Sequence, residues 1–263
     1  MIGGIEVEAL FRKRIGLPED EPVTFEKLDE ILEKTARTIP FENMRIMNQE
    51  TFDITNESLI DKMLARNEGG LCYELNGLLY LFLLENGFDV TLVRGDVFNN
   101  EIGEWTKLGR THVAIILHHE GQDYIVDTGF GGNLPLKPVP MKGEVVTSSN
   151  GQFKVEASEN EYGDYVLMLK LADKDKDWRI GHVIDSKKPV TNLSEFNEIQ
   201  KVLIENERSP FNKGPILMKF TDNGTVSLTD KTLTRWIDGK QHKENITETA
   251  FKEYVKNIFG IIY

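Results

Sequence analysis

Apolar residues in the first third of the chain recur at helical spacing. Between Thr24 and Thr38 they fall every three or four positions, and charged side chains occupy the positions between them. The apolar positions are Phe25, Leu28, Ile31 and Leu32. Pro40 ends the pattern, because proline has no N–H to donate and clashes with the preceding turn. We predict an amphipathic helix over this segment.

Two further helices are predicted before residue 88. One begins near Asn56, a residue type that caps helix N-termini, and runs to about Arg66. After the break at Gly69-Gly70, the next runs from Cys72 to about Glu85, and Asn86-Gly87 marks its end. Its apolar stripe consists of Leu75, Leu78, Leu79 and Phe82.

From Phe88 the pattern changes to alternating or continuous β-branched runs separated by polar and glycine-containing turns. The predicted strands are DVTLVRGDVF, THVAIIL, QDYIVDTGF, GQFKVEAS and DYVLMLKLA, and later ILMKFT, TVSLTD and TLTRWI. A helix is predicted from Leu193 to about Glu205, and a last one from Thr247 or Thr249 to near Phe259. The order of elements predicts an α+β fold with antiparallel sheet.

Composition and charge narrow the functional class. The 263 residues are 40% apolar and 28% charged, as in folded globular proteins. A net charge of −12 argues against nucleic acid as a partner. The N-terminus does not resemble a signal peptide, and the longest apolar stretch, Leu78–Leu84, falls far short of the roughly 20 residues of a membrane span. We expect a cytoplasmic protein without a membrane partner.

Cys72 is the one cysteine of the chain and the first candidate for chemistry. It lies just after Gly69-Gly70 at the start of a predicted helix, where unpaired N–H groups and the helix dipole favour an anion. A thiolate is the reactive form of cysteine, and the glycines leave room for a substrate. The alternative is a small buried residue without chemistry.

His112 and Asp127 lie on two consecutive predicted strands. If residues 119 and 120 form a two-residue turn, His112 and Asp127 face each other directly. A turn made of residues 120 and 121 keeps them on one face as diagonal neighbours, and a three-residue loop without a bulge separates them. On one face they form an acid-base pair that could activate Cys72. The alternatives are a turn aspartate and a satisfied buried histidine.

The other four histidines are weaker candidates for catalysis than His112. His118 and His119 fall in the turn, and His182 and His242 fall in polar late segments without an acidic strand partner. With one cysteine and no metal-ligand spacing, we expect no metal site.

Several motifs resemble the arylamine N-acetyltransferase family from Phe11 onward. FRKRIG is similar to its aromatic-x-Arg-Ile-Gly element, and IPFEN matches its Ile-Pro-Phe-Glu-Asn signature. GGLCYELNGLL resembles the nucleophile motif, with Cys72, Glu74 and Asn76 in register. THVAIIL, DTGFG and SPF are similar to the histidine, aspartate and C-terminal elements.

The resemblance implies a Cys72, His112, Asp127 triad that forms an acetyl-cysteine intermediate. Acetyl-CoA would be the acetyl donor, and aromatic amines, hydrazines or hydroxylamines the acceptors, as in xenobiotic metabolism. Phe41 and Phe130 would line the acceptor pocket.

Coenzyme A would contact the C-terminal region that contains Ser209 and Lys213. Because coenzyme A carries phosphates, a local basic patch has to overcome the acidic field of the chain. The candidate cations are Lys187, Lys188, Arg208 and Lys213.

The implied fold has three parts around a cysteine-protease-like catalytic core. A helical bundle (1–87) carries the nucleophile, a central antiparallel β-barrel (88–190) carries the histidine and aspartate, and an α/β lid (191–263) completes the molecule.

One position departs from the family pattern, because Glu68 stands where an arginine normally precedes the two glycines. A carboxylate there alters an ion-pair network and disfavours a nearby thiolate. Two other functions use the same residues: a cysteine hydrolase or transglutaminase-like enzyme with this triad, and a non-catalytic binding protein. The sequence leaves the preferred acceptor and the oligomeric state open.

Overall fold

The computed structural model describes residues 7–262 of the chain. The α-helices among them are α1 (Val7–Ile15), α2 (Leu28–Thr38), α3 (Met44–Met47), α4 (Asn56–Ile60), α5 (Cys72–Glu85), α6 (Phe196–Glu205) and α7 (Glu248–Asn257). A π-helix, Asp61–Ala65, continues α4, and short 3-10 turns precede α2 and α6. None of the described helices combines the length and the apolar character needed to span a bilayer.

Strands make up most of the remaining described chain. In order they are β1 (Phe41–Glu42), β2 (Asp89–Gly95), β3 (Phe98–Asn99), β4 (Glu104–Trp105), β5 (His112–His119), β6 (Gln122–Val126), β7 (Val139–Pro140), β8 (Val146–Ser148), β9 (Gly151–Asn160), β10 (Gly163–Leu171), β11 (Arg179–Ile184), β12 (Leu217–Thr221), β13 (Gly224–Leu228), β14 (Thr232–Ile237) and β15 (Lys240–Asn245).

The strands form separate antiparallel sheets. The middle of the chain contributes two four-stranded sheets, in the orders β2-β5-β6-β7 and β11-β10-β9-β8, and the short pair β3-β4. Isolated bridges such as Val97 to His182 link them, but over residues 7–262 the strand pairing does not run around a closed ring. The α+β class is therefore confirmed, whereas the predicted barrel is not.

A five-stranded sheet in the order β1-β12-β13-β14-β15 forms the C-terminal part. Its edge strand β1 comes from the IPFEN segment, where Phe41 pairs with Met218. The N-terminal third is thus tied by main-chain hydrogen bonds to the region that the resemblance calls a lid. Helix α6 of the C-terminal region packs against the N-terminal part, because Phe196 and Leu203 lie in the hydrophobic core around α5.

The bounds of α5 agree with the predicted helix from Cys72 to about Glu85. Its two central turns are buried on nearly all sides, and Phe82 stacks on Phe11 of α1 at 4.3 Å. The helix ends at Asn86, and Gly87 then adopts the left-handed conformation (φ 79°) that glycine tolerates best. This packing fixes the first turn of α5, where Cys72 lies.

The hairpin β5–β6 settles the register that the sequence left open. His119 pairs with Gln122, so the turn consists of Glu120 and Gly121, both with positive φ (48° and 75°). Two such residues form the turn type that matches the strand twist. His112 and Asp127 are therefore diagonal neighbours, which was the second of the alternatives, and the turn at residues 119 and 120 does not occur.

Candidate active site

Cys72 is the first residue of α5 and is buried against two loops. Its Sγ–H donates to the carbonyl of Thr111 at 3.4 Å, just before His112. Gly129, in the loop after β6, approaches Cys72 so closely that a Cβ built at Gly129 would lie 2.5 Å from the Cα of Cys72. Only glycine fits there, so the approach of these two segments depends on the missing side chain.

His112 and Asp127 form a buried pair in contact with the thiol. The Nε2 of His112 lies 2.8 Å from Oδ2 of Asp127, which leaves Nδ1 for the sulfur. Burial works against a charged imidazole, but the charge and hydrogen bond of Asp127, together with Cys72, raise the pKa of His112 to about 10. Burial likewise opposes ionisation of Asp127, yet His112 and His182 hold its pKa below the usual value.

Asn76 holds the aspartate from the next turn of α5. Its Nδ2 donates to Oδ1 of Asp127 at 2.9 Å and to the carbonyl of Val113 at 2.7 Å, and its Oδ1 accepts from the backbone and hydroxyl of Thr128. The backbone N–H of Gly129 also donates to Oδ1 of Asp127, at 2.7 Å. We call Cys72, His112, Asp127 and Asn76 the thiol cluster.

The prediction that His182 lies in a polar segment without an acidic partner is wrong, because His182 is buried in β11 beside Asp127. Its Nε2 lies 3.2 Å from Oδ2 of Asp127, and its ring packs on that of His112 at 4.3 Å. Burial and the charge of His112 lower the pKa of His182 to about 4. The sequence offered one signal, a histidine inside the apolar run Ile180–Ile184, which was not read as a strand.

The nitrogens of His112 and His182 and an oxygen of Asp127 lie within 4.8 Å of one another, a grouping that could in principle hold a metal ion. Both oxygens of Asp127 are already engaged, Oδ1 by Asn76 and Gly129 and Oδ2 by His112. The donor set therefore fits an acid-base unit better than a metal centre.

A second group of buried charges lies under the loop that precedes Cys72. Lys62, brought inward by the π-helix, donates to Oε1 of Glu74 at 2.6 Å and lies 3.6 Å from Glu42. Burial alone would lower the pKa of Lys62, but the carboxylates of Glu74 and Glu42 raise it. The other oxygen of Glu74 accepts the backbone N–H of Leu71 at 2.9 Å, which ties this charge group to the first turn of α5.

Glu68, the departure from the family pattern, has a cationic partner. Arg45 donates to both of its oxygens, from Nε at 2.7 Å and from Nη2 at 2.6 Å, and the Arg45 guanidinium also lies over the ring of Phe52. The carboxylate of Glu68 is thus neutralised by a bidentate pair. We call Lys62, Glu42, Glu74, Arg45 and Glu68 the ion cluster.

A cavity of about 290 Å³ opens onto Cys72 and His112. Its lining is mainly apolar and includes Phe41 and Phe130, the two residues predicted for the acceptor pocket. Phe211 meets Phe41 edge-on at 5.8 Å, and the Gly129–Asn133 loop forms part of the wall. A flat aromatic ring suits such a lining.

None of the residues expected at coenzyme A belongs to the lining of this cavity, although Ser209 directly precedes Pro210, which does. Ser209 is fully buried, and its Oγ accepts the backbone N–H of Phe211, so it shapes the turn that carries Phe211 into the lining. Lys213 and Arg208 are exposed on either side of this turn. Lys188 is paired with Asp185 at 2.9 Å, and Lys187 lies 3.9 Å from Asp164.

The chain matches known proteins over almost its full length. The sequence model of a family described as N-acetyltransferase matches residues 24–262. An uncharacterized acetyltransferase of Bacillus subtilis (strain 168) is 36% identical over 248 residues, which cover 94% of this chain and 95% of that protein.

Two crystal structures extend the match to the whole fold. Arylamine N-acetyltransferase C from Bacillus anthracis has 38% identity and a TM-score of 0.92, with 97% of this chain and 98% of that chain covered. An arylamine N-acetyltransferase from Bacillus cereus has 37% identity and a TM-score of 0.93, with 99% and 100% covered. The latter is described as having a unique Cys-His-Glu catalytic triad, whereas the carboxylate beside His112 in this chain belongs to Asp127.

Proposed function

The chain belongs to the arylamine N-acetyltransferase family, and from this premise we propose that it transfers an acetyl group from acetyl-CoA to aromatic amines, hydrazines or hydroxylamines. One observation carries the proposal for this chain. A lone thiol at a helix N-terminus lies beside a buried His112–Asp127 pair and opens onto an apolar cavity.

In the first half of the proposed reaction, Cys72 attacks the thioester carbonyl of acetyl-CoA. The thiolate is favoured by the N-terminus of α5 and by a protonated His112. A carbon–sulfur bond forms to Cys72, the bond to the sulfur of coenzyme A breaks, and His112 gives its proton to the departing thiolate. The backbone N–H of Cys72 is a candidate donor to the oxyanion.

In the second half, the amine attacks the acetyl-cysteine. His112, now neutral, takes a proton from the amine nitrogen as the carbon–nitrogen bond forms and the bond to Cys72 breaks. Asp127 fixes the imidazole and stabilises its protonated form in both halves. The buried hydrogen bonds that Asn76 and Gly129 give to Asp127 support this assignment.

The acceptor ring would pack between Phe41 and Phe130, and coenzyme A would approach past the turn at Ser209 and Lys213. We also propose a cytoplasmic location and a role in the metabolism of foreign amines. The division into 1–87, 88–190 and 191–263, with the middle part acting as a barrel, remains our proposal. The isolated bridges between the two middle sheets support it.

The proposal is tested in two stages with purified protein. Incubation with acetyl-CoA alone should release one equivalent of coenzyme A and add one acetyl group to Cys72 by mass spectrometry. Addition of a simple arylamine should then remove that group and sustain release. Cys72→Ala should abolish both stages, and Lys252→Ala, at an exposed helix position, should leave them unchanged.

Other outcomes would overturn the proposal in recognisable ways. Acetylation of Cys72 followed by hydrolysis that no amine accelerates would indicate a hydrolase. An unmodified Cys72 after long incubation would indicate a binding protein or an acyl donor of another class.

A further inference from the structure

His182 is a buried titratable group in direct contact with the thiol cluster, and the proposed function has no use for it. It is 1% exposed, and three residues surround its ring. His112 lies against one face at 4.3 Å, Phe130 meets it edge-on at 5.0 Å, and Oδ2 of Asp127 lies 3.2 Å from Nε2.

The backbone of β11 is shaped to place His182 there. Leu167 of β10 pairs with His182 but the next residue, Met168, pairs with Ile180, so Gly181 is an extra residue in β11. A bulge of this kind re-aims the side chain beside it. A Cβ at Gly181 would lie 2.5 Å from the end of the Leu169 side chain and 3.0 Å from the Phe130 ring, so a larger residue there would have to displace both side chains. A bridge to Val97 holds the other side of the strand.

The two ring nitrogens of His182 are buried without full hydrogen bonding. Among the described residues, neither ring nitrogen makes a well-aligned hydrogen bond, although both are buried. A buried polar group without a partner is unfavourable, and native proteins keep few of them. Asp127 offers the nearest carboxylate oxygen, and this oxygen already accepts from His112. Phenylalanine or leucine would fill the same space without the polar nitrogens.

Burial, and after it the positive charge of His112, favours the neutral form of His182, whereas the negative charge of Asp127 opposes it. Asp96 is a second buried carboxyl group, close enough to interact with His112. The carboxylate of Asp96 is occupied by Thr106 and by the backbone N–H groups of Val97 and Lys107. His182 can therefore present one N–H to Asp127 without adding a charge.

We propose that His182 is a positioning residue for acetyl transfer, which holds the His112 ring and Asp127 Oδ2 in line so that Nδ1 of His112 stays at the sulfur of Cys72. This inference rests on the proposed function, because it assigns His182 to the same site. His182 touches neither the acetyl group nor the acceptor, and it acts through the two residues beside it.

The test measures the thiolate rather than the transfer reaction. Because Cys72 is the one cysteine of the chain, iodoacetamide labels it alone, and the pH at which alkylation rises reports the formation of its thiolate. His182→Phe keeps a ring but removes the N–H, and His182→Gln keeps an N–H but removes the ring. His242→Phe, on exposed strand β15, is the matched control.

We expect the rise in alkylation of His182→Phe to move to higher pH by roughly one unit, because a misplaced imidazolium stabilises the thiolate less. We expect kcat to fall roughly tenfold or more, with the KM for acetyl-CoA changed little. His182→Gln should lie between this variant and the wild type, and His242→Phe should match the wild type.

Two results would overturn the inference. The first is a folded His182→Phe protein whose alkylation profile equals that of the wild type. The second is a loss of thermal stability with an unchanged profile, which would mean that His182 only fills space. If His182→Phe does not fold, His182→Gln gives the same test. A wild-type protein that is never acetylated would refute the proposed function and leave the alkylation result intact.

Discussion

Two buried polar groups adjoin the first turn of α5, and they are built on different principles. In the thiol cluster each polar atom has a set direction, and neutral donors such as Asn76 and the Gly129 N–H share the charge of Asp127. In the ion cluster two cations face three carboxylates at short range. The thiol cluster therefore depends on the orientation of each donor and acceptor, whereas the ion cluster depends on the balance of positive and negative charge.

This difference explains how the chain tolerates Glu68. A buried carboxylate in place of the family arginine would be unfavourable without a cation beside it. Arg45 supplies this cation and forms a bidentate ion pair with Glu68. Burial and the nearby carboxylates of Glu74 and Glu68 raise the pKa of Glu42, although Lys62 opposes this.

The largest effect is expected from the thiol cluster. Asp127→Asn should keep the shape of the site but lower kcat by roughly 10⁴-fold, because the amide no longer holds the imidazole in the required protonation state. The measurement is steady-state transfer to an arylamine. Asp123→Asn is the matched control, since Asp123 pairs with His118 at 2.7 Å in the same hairpin but is exposed. Equal losses in both variants would contradict the comparison.

The ion cluster should respond in stability. Lys62→Met removes the cation between Glu74 and Glu42 and should lower the free energy of unfolding by about 3–5 kcal/mol in urea denaturation. Lys252→Met breaks the exposed pair with Glu248 and should cost less than about 1 kcal/mol. If Lys62→Met is as stable as the control variant, the buried charges are not what holds the loop before Cys72.

Exchanging the charges of Arg45 and Glu68 tests directly whether the ion cluster depends on charge balance rather than on the orientation of its side chains. Arg45→Glu and Glu68→Arg should each lower the free energy of unfolding by about 2 kcal/mol, because each leaves like charges together. The double variant should recover at least half of the combined loss in a double-mutant cycle. If the loss of stability in the double variant equals the sum of the two single losses, the orientation of the side chains matters as much in the ion cluster as in the thiol cluster.

Per pH unit, the smallest effect is a slope of the free energy of unfolding with pH. The pKa of His112 is about 10 when folded and near 6.5 otherwise, so its contribution is complete below about pH 6.5 and is lost as the pH rises towards 10. The free energy of unfolding should therefore fall over this range by up to about 1.4 kcal/mol per pH unit more in the wild type than in His112→Gln. His242→Gln should keep the wild-type slope. Equal slopes in all three proteins would mean that His112 does not carry a charge in the folded protein.

Asp127 should act in the opposite direction at acid pH. Because its pKa is lowered in the folded protein, its contribution is present above the ordinary aspartate range and disappears as the pH falls. Acid denaturation of Asp127→Asn should therefore begin from a less stable protein but show a shallower dependence on pH than the wild type.

Local patterns in the sequence were enough for the parts of the fold whose cause is local. The apolar stripe and the flanking glycines predicted α5, and the strand patterns predicted β5, β9 and β10 close to their observed bounds. The strand predicted over QDYIVDTGF begins where β6 begins but is too long, because β6 ends at Val126. The first cap of α4 was misplaced by one residue, since Thr55 rather than Asn56 exchanges hydrogen bonds with Ser58.

What the sequence missed depends on contacts between distant segments. β15 has six exposed polar residues and is a strand only because it pairs with β14. The place of His182 beside Asp127 follows from a bulge at Gly181, which no periodicity reveals. The partner of Glu68 was equally hidden, because Arg45 lies 23 positions away and joins it only through the packing of the IPFEN segment against the loop before Cys72.

The tight approach of Gly129 to Cys72 also has a genetic consequence. Every missense change of a single base in a glycine codon introduces a residue with a Cβ, and a Cβ at Gly129 collides with the backbone of the nucleophile. Missense alleles at codon 129 should therefore be rare wherever the activity of the protein is under selection, whichever residue they introduce.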